Sequence, residues 1–250
     1  MSTTGTGKLT VEVFPDREEL GRKAGDDIAA ELRSRLARQD GVRVIFAAAP
    51  SQQETLERLR VAEGIDWSRV TAFHMDEYLG LPPDAPQRFG QWLKDALFDH
   101  VPLAKVLLLE PDASDNGRQY AEELAAAPID LVVLGVGVNG HLAFNDPPDA
   151  DLEDPRSVRL VELAAASRQQ QVDDGCFDRL EDVPTQAVTL TVPRLLDAGR
   201  LFCVVPGAAK ADAVRAALSD PIGPACPATA LRRHGDCTLY LDKESAAHVS

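Results

Sequence analysis

The sequence predicts an α/β fold in which helices cover both faces of a mostly parallel β-sheet. Short runs of β-branched and other apolar residues alternate along the chain with segments of helical periodicity. This alternation is typical of folds that join parallel strands through helices. The first helical segment carries Leu20, Ala24, Ile28 and Leu32 on one face, the spacing of a helix packed on a sheet. Because no repeat or low-complexity tract divides the chain, we expect one domain, residues 1–250.

The elements follow from local composition, taken in chain order. Strands are predicted where β-branched apolar runs occur: Thr10–Phe14, Val42–Ala47, Val70–Phe73, Val106–Leu109, Leu131–Gly135, Val158–Val161, Ala187–Thr191, Leu201–Val205 and Cys237–Leu241. Helices are predicted near residues 16–38, 52–62, 86–98, 114–126, 192–198 and 207–218. The stretch 145–157 is rich in proline and aspartate, so we interpret it as a connecting loop rather than a domain boundary.

Composition narrows the possible partners and the location. The formal net charge is −14 at pH 7, whereas nucleic acids and anionic membranes attract basic surfaces. No apolar run approaches the ~20 residues that span a bilayer, and the opening MSTTGTGKLTVEVFP lacks the features of a signal peptide. The four cysteines are scattered, without metal-type or disulfide-type spacing. We therefore expect a cytoplasmic protein with free thiols that binds neither nucleic acid nor membranes.

Candidate site residues should directly follow the strands, because ligands of open α/β sheets bind outside the carboxyl ends of the strands. Five stretches meet this condition: AAAPSQQ (47–53), HMDEYLG (74–80), GVGVNGHLAFNDP (135–147), ASRQQQ (166–171) and PGAAK (206–210).

The third stretch contains Gly135, Gly137 and Gly140 at the G-x-G-x-x-G spacing of many dinucleotide sites. Such a site needs a helix that opens at the third glycine, but only HLAFND precedes a pair of prolines here. Glu162 lies about twenty residues further on, where a ribose-binding acid would sit, so nicotinamide or flavin binding stays open as the minor alternative. We favour a turn whose glycines let the backbone approach a small ligand, with no cofactor.

Two groups of polar residues suit acid–base chemistry. His141 has Asn139 and Asp146 close by in sequence, and both side chains can orient an imidazole for proton transfer near neutral pH. Asp76 and Glu77 follow a strand among apolar neighbours, where partial desolvation would raise the pKa of a carboxyl group and make it a useful base. No metal pattern is present, and we expect no metal.

MDEYLGL and GVGVNGHLAFNDP together resemble the glucosamine-6-phosphate deaminase/isomerase family, which is related to 6-phosphogluconolactonases. The likeness runs from about Val42 to Leu241. Lactonases typically carry aspartate-glutamate-arginine where this chain has residues 76–78, and small hydroxyl residues after the histidine where this chain has LAFN. The resemblance implies a modified Rossmann-like, three-layer α/β/α sandwich that binds a small sugar phosphate without dinucleotide or metal.

Roles follow from the resemblance, position by position. Asp76 would move a proton between C2 and C1 of the sugar, and His141 would open the pyranose ring. Asp146 would orient and charge-balance His141 with help from Asn139, and Glu77 would support the site. The implied enzyme is a deaminase-like hydrolase that isomerises an amino-sugar phosphate and releases ammonia.

The resemblance implies that the substrate is bound by residues of the glycine turn and of three further stretches, namely AAAPSQQ (47–53), ASRQQQ (166–171) and PGAAK (206–210). The family's glycine- and threonine-rich loop is replaced by AAAPSQQET, and its phosphate arginine has no clean match. The predicted substrate-binding residues are Ser51, Gln52, Gly137, Gly140, Arg168 and Lys210. Two alternatives remain: a hydrolase acting on a sugar-acid lactone, and a non-catalytic sugar-phosphate sensor. The sequence leaves the oligomeric state open, a homo-oligomer included.

Overall fold

A computed structural model describes residues 8–110 and 117–249. Its strands are β1 (Lys8–Phe14), β2 (Val42–Phe46), β3 (Val70–His74), β4 (Asp76–Tyr78), β5 (Lys105–Leu107), β6 (Ile129–Leu134), β7 (Val158–Glu162), β8 (Gln186–Leu190), β9 (Ala198–Val205) and β10 (Asp236–Asp242). Its α-helices are α1 (Arg17–Leu36), α2 (Gln53–Arg60), α3 (Phe89–Ala96), α4 (Arg118–Ala125), α5 (Ala165–Asp173), α6 (Val192–Leu196) and α7 (Ala211–Ser219).

Seven strands form a parallel sheet in the order β1-β10-β9-β6-β2-β3-β5. Its central strands are buried on both faces, with Val44, Ile45, Val132 and Val133 fully enclosed, as expected where helices cover both sides of a parallel sheet. Strands β4, β8 and β7 form a second, separate sheet in that order, and both of its strand pairs are antiparallel. The predicted α/β fold with a mostly parallel sheet is confirmed.

Helix α1 shows how the sequence builds one layer of the fold. Asp16 caps its first turn by accepting the Glu19 N–H at 2.9 Å, and the predicted apolar face from Leu20 to Leu32 is buried. A side chain at Gly21 would collide with Glu54 at the start of α2, since an added Cβ would lie 2.4 Å from the Glu54 Cβ. The absence of a side chain therefore lets α1 and α2 approach closely, and this contact positions the loop 47–53 that precedes α2.

Two elements differ from the sequence prediction. Strand β4 was not predicted, because three residues carrying two charges give no alternating apolar pattern, and it forms through antiparallel pairing with β8. Helix α5 was not predicted, because its sequence AASRQQQVD lacks an apolar stripe. The first part of the predicted helix 114–126 falls outside the described residues, and α4 begins at Arg118.

In the part of the chain that the structure describes, none of the helices is both long and apolar enough to cross a lipid bilayer.

Candidate active site

A cleft lies at the carboxyl edge of the large sheet. The loops after β2, β3, β6 and β9 and helix α5 all contribute to its wall, as the sequence predicted from the strand ends. The lining side chains and backbone segments belong to Ala47, Ala48, Ala49, Ser51, Gln52, Met75, Asp76, Phe89, Gly135, Val136, Gly137, His141, Ala143, Phe144, Gln170, Gln171 and Lys210. Six predicted site residues are thereby brought together: Ser51, Gln52, Asp76, Gly137, His141 and Lys210.

Asp76 presents a buried carboxyl group to this cleft. Antiparallel pairing holds its backbone opposite Thr189 of β8, and the residue is only 6% exposed. Its carboxyl group has no hydrogen-bond or ion-pair partner among the described residues. Burial, and then the negative charge of Glu77, raise the pKa of Asp76 well above its usual range. A carboxylate with a raised pKa and no protein partner is suited to accept a proton from a bound molecule.

Glu77 lies on the opposite side of β4 and does not line the cleft. Its carboxylate accepts backbone N–H bonds at 3.0–3.1 Å from Tyr78, Phe89 and Gly90. The His74 Nε2 and Arg88 Nε atoms lie 3.6 and 3.5 Å from its Oε2. Burial raises the pKa of Glu77, but the contacts with His74, the Gly90 N–H and Arg88 outweigh burial and lower that pKa below its usual value. Glu77 is therefore an ionised anchor between β4 and α3, behind Asp76.

His141 is held through one ring nitrogen. Its Nδ1 lies 2.8 Å from Asn139 Oδ1, 2.9 Å from Ser167 Oγ and 3.1 Å from Asp146 Oδ1. Since Asn139 Oδ1 and the Asp146 carboxylate are acceptors, Nδ1 carries the proton of the neutral imidazole. The other nitrogen, Nε2, then has a free lone pair, and no described protein group bonds it. Fixing the tautomer in this way prepares Nε2 for proton exchange with a ligand in the cleft.

Asp146 supports His141 from behind the cleft. It also accepts the Asn139 Nδ2–H at 3.0 Å and a short hydrogen bond from the Ser167 hydroxyl. Burial raises the pKa of Asp146, but the hydrogen bonds and charge of His141, together with Asn139 and Ser167, outweigh burial and lower that pKa to about 2. Asp146 therefore remains an anion at any pH at which the protein is used.

The glycine turn lies directly against the ring of His141. A Cβ added to Gly137 would lie 2.1–2.3 Å from three atoms of the His141 ring, so the imidazole rests directly on the Gly137 backbone. Gly140 has φ of +84° and lies over Cys226 rather than in the cleft wall. Residues 135–157 contain no helix, so the positive helix end that a dinucleotide pyrophosphate requires is not formed after Gly140.

Replacing Gly137 by alanine should displace the His141 ring and lower kcat by about 10²-fold, because a shift of about 1 Å in a catalytic group has such an effect. Gly235→Ala is the matched control, since a Cβ at Gly235 meets nothing within 4 Å. Steady-state rates and the thermal unfolding midpoint should be measured for both variants. Equal rates in Gly137→Ala and Gly235→Ala would contradict a requirement for close contact between the ring and the turn.

Lys210 also lines the cleft. The side chain is buried, with 7% of the residue exposed, and its ammonium group has no hydrogen-bond or ion-pair partner within residues 8–110 and 117–249. Burial lowers the pKa of Lys210 to about 8, although the nearby Asp174 carboxylate opposes this shift. A buried cation without a partner is costly, so this ammonium group is complementary to an anion bound in the cleft.

Arg168, predicted to bind the substrate, does not line the cleft. Its guanidinium group donates to the Val183 carbonyl at 2.9 Å and to the Leu180 carbonyl at 2.7 Å, and it does not reach the cleft wall. Gly140, also predicted to bind the substrate, shapes the turn without lining the cleft. Asn139, Asp146 and Glu77 also lie outside the cleft wall. Asn139 and Asp146 contact the His141 ring, and Glu77 is adjacent to Asp76 in the chain.

The sequence prediction missed several residues of the site. Phe89, Gln170 and Gln171 line the cleft, and Ser167 bonds both Asp146 and His141. The stretch ASRQQQ (166–171) carried a signal for three of them, because it follows a strand directly. The residues at positions 167, 170 and 171 are buried because this stretch is helical. The hydrophobic pattern of the sequence did not predict that helix.

No group of three or more His, Cys, Asp or Glu side chains capable of holding a metal ion occurs among residues 8–110 and 117–249. The titratable side chains that line the cleft are Asp76, His141 and Lys210. Together, fold and site define an α/β protein with an acid–base cleft at the carboxyl edge of its parallel sheet.

The family model of glucosamine-6-phosphate isomerases/6-phosphogluconolactonases matches residues 15–240, and the chain belongs to this family. Glucosamine-6-phosphate deaminases of Bacillus thuringiensis and Bacillus anthracis are each 35% identical over 189 residues, 74% of this chain and 70% of theirs. A solved monomeric glucosamine-6-phosphate deaminase has a TM-score of 0.86 at 25% identity, covering 96% of this chain and 99% of its own. The 6-phosphogluconolactonase of Trypanosoma brucei has a TM-score of 0.79 at 21% identity, covering 98% and 100%, a likeness in fold alone.

Proposed function

We propose that this protein isomerises and deaminates an amino-sugar phosphate such as glucosamine 6-phosphate, giving a ketose phosphate and ammonia. One observation carries the proposal: the unpartnered carboxyl group of Asp76 and the free Nε2 of His141 face the same cleft. Two relatives at 35% identity are glucosamine-6-phosphate deaminases, which supports the same chemistry here. In this proposal the protein acts in the cytoplasm on a small molecule.

The first step is ring opening at His141. Nε2 takes the proton of the C1 hydroxyl group and returns it to the ring oxygen as the bond between C1 and that oxygen breaks. The hydrogen bonds of Nδ1 to Asn139 and Asp146 keep Nε2 available as the acceptor. The ionised Asp146 stabilises the transient imidazolium, so both transfers use one side chain.

The second step is proton transfer at Asp76. Its carboxylate removes the C2 proton from the open-chain aldehyde, the C2 electron pair forms a double bond to C1, and a proton from the substrate ammonium group passes to the C1 oxygen. The resulting enolamine then takes a proton from the Asp76 carboxylic acid at C1. This leaves an iminium group at C2, which water hydrolyses to the ketone and ammonia. Burial of Asp76 makes its carboxylate a stronger base for this step.

Tyr78 bears on the choice between the deaminase and lactonase branches. It stands where lactonases carry an arginine, and it is 1% exposed. Its ring packs 4.7 Å from the Phe89 ring and 5.6 Å from the Phe144 ring, centroid to centroid. A position enclosed by aromatic rings is poorly suited to a guanidinium group that must reach an anionic substrate, which favours the deaminase function over the lactonase function.

A substrate panel tests the proposed function. Purified enzyme should be assayed with glucosamine 6-phosphate, galactosamine 6-phosphate, glucose 6-phosphate and 6-phosphogluconolactone, with ammonia, ketose phosphate and released acid measured separately. We expect ammonia and ketose phosphate in equal amounts from at least one amino sugar, and formation of both products about 10²-fold slower or more with Asp76→Asn. Acid formed from the lactone without ammonia from any amino sugar would instead identify a lactonase.

A further inference from the structure

Apart from Asp76 and His141, the polar side chains that line the cleft are Ser51, Gln52, Gln170, Gln171 and Lys210, and this group is called here the anion end. Among the described residues that line the cleft, Lys210 is the one lysine or arginine. Buried and unpartnered, its ammonium group faces a cavity otherwise walled at this end by amides and a hydroxyl group. The ligand group bound here therefore meets a single positive charge.

Two neighbouring charged groups add no further attraction for an anion. The Asp174 carboxylate lies close enough to Lys210 to affect its pKa, and it is held by the Gln170 Nε2–H at 3.1 Å. Arg17 lies behind the loop at Pro50, but its guanidinium group is paired with Glu54 at 2.6 Å and donates to the Pro50 carbonyl at 3.0 Å. Neither Asp174 nor Arg17 therefore adds a free positive charge to the one that Lys210 supplies.

The remaining polar groups are neutral. Ser51 Oγ accepts a hydrogen bond from Gln52 Nε2 at 3.1 Å, which leaves the Ser51 hydroxyl proton free to donate. The Gln171 amide has no partner in the described part of the chain, and Gln52 adds a buried carbonyl oxygen that no donor reaches. Hydroxyl and amide groups can bond a tetrahedral anion, but they cannot neutralise a second negative charge in a buried site.

We propose that the anion end selects a singly charged tetrahedral group, so that the enzyme accepts amino-sugar sulfate esters as well as phosphate esters carrying one proton. This inference rests on the proposed function, since it names the substrate class of the same cleft. A sulfate ester holds one negative charge at all working pH values, whereas a phosphate ester gains a second charge above pH about 6. Binding of the phosphate ester should therefore depend on pH, whereas binding of the sulfate ester should not.

Calorimetry with the Asp76→Asn variant separates binding from turnover. The ligands are glucosamine 6-sulfate and glucosamine 6-phosphate, each at pH 5.5 and pH 7.0. The phosphate Kd should be about eightfold lower at pH 5.5, the ratio of monoanion fractions for a second pKa of about 6. The sulfate Kd should stay constant and lie below the phosphate Kd at pH 7.0. Tighter phosphate binding at pH 7.0 than at pH 5.5, or sulfate binding weaker than phosphate binding at pH 7.0, would overturn the inference.

Two neighbouring acids provide matched variants. Asp174→Asn, made in the Asp76→Asn background, removes the charge beside Lys210 and should lower the phosphate Kd at pH 7.0 more than the sulfate Kd. Asp173→Asn removes an equal charge from a carboxylate that bonds Gln169 Nε2 at 2.9 Å, and it should change neither Kd. Equal effects of both variants would count against a local charge balance at Lys210. If the binding pattern holds but wild-type enzyme yields no ammonia from any amino sugar, the proposed function fails and the charge selection stands.

Discussion

Asp76→Asn is expected to lower kcat by about 10²–10⁴-fold, the usual contribution of a general base, while leaving the Kd of glucosamine 6-phosphate nearly unchanged. The amide keeps the shape of the side chain but cannot take the C2 proton. Rapid-quench turnover and calorimetry on the same variant measure the two quantities. A kcat within a few fold of wild type would contradict the role of Asp76.

The pH dependence provides a second measure of the same group. Asp76 acts as a base only when ionised, and burial and Glu77 raise its pKa, so kcat/KM should fall as pH decreases through this raised pKa. Glu77→Gln removes the neighbouring negative charge, which lowers the pKa of Asp76 and should move the acidic limb of the kcat/KM profile to lower pH. An unmoved limb in a folded Glu77→Gln protein would show that another group controls it.

His141→Gln should abolish ring opening and reduce kcat by about 10²–10⁴-fold. Supplying a substrate analogue already in open-chain form should partly restore the rate, because the missing step is then bypassed. The same analogue should not restore Asp76→Asn, whose defect lies in the later proton transfer. Rates of both variants with cyclic and open-chain substrates should be compared. Equal rescue of the two variants would contradict the assignment of ring opening to His141 and of the later proton transfer to Asp76.

Asp146→Asn separates orientation from proton transfer in the same step. The variant retains the imidazole but replaces the charged acceptor that faces Nδ1 at 3.1 Å. We expect a rate between those of wild type and His141→Gln, with partial rescue by the open-chain analogue. A rate equal to that of wild type would show that Asn139 and Ser167 alone orient the ring.

Much of the fold was predictable because buried parallel strands are continuous apolar runs. The chain from Ile129 to Leu134 is almost entirely enclosed, and its sequence reads as a strand without reference to any neighbour. Strand β4 could not be predicted in this way, since its pairing partner β8 lies more than a hundred residues further along the chain. Helix α5 escaped detection because its inward face carries glutamines toward a polar cavity rather than leucines toward a core.

In the candidate site, too, residues that directly follow strands could be predicted, whereas residues placed by distant elements could not. Asp76 and His141 were predictable because each directly follows a strand, where the topology of the sheet assembles ligand sites. Ser167 was not, because its contact with His141 depends on a helix placed 26 residues further along the chain. Arg168 was predicted as a ligand residue, but in the structure its guanidinium group bonds the carbonyls of residues 180 and 183.

The most direct test of the central claim follows deuterium from C2 of glucosamine 6-phosphate during turnover by the wild-type enzyme. In the proposed mechanism His141 opens the ring, Asp76 transfers the C2 proton to C1, and hydrolysis at C2 releases ammonia. Each ketose phosphate should therefore be accompanied by one ammonia. Part of the deuterium should pass into solvent water, because a carboxyl proton exchanges before it returns to C1. Complete retention of deuterium at C1, which indicates direct hydride migration, or the absence of ammonia would contradict the account.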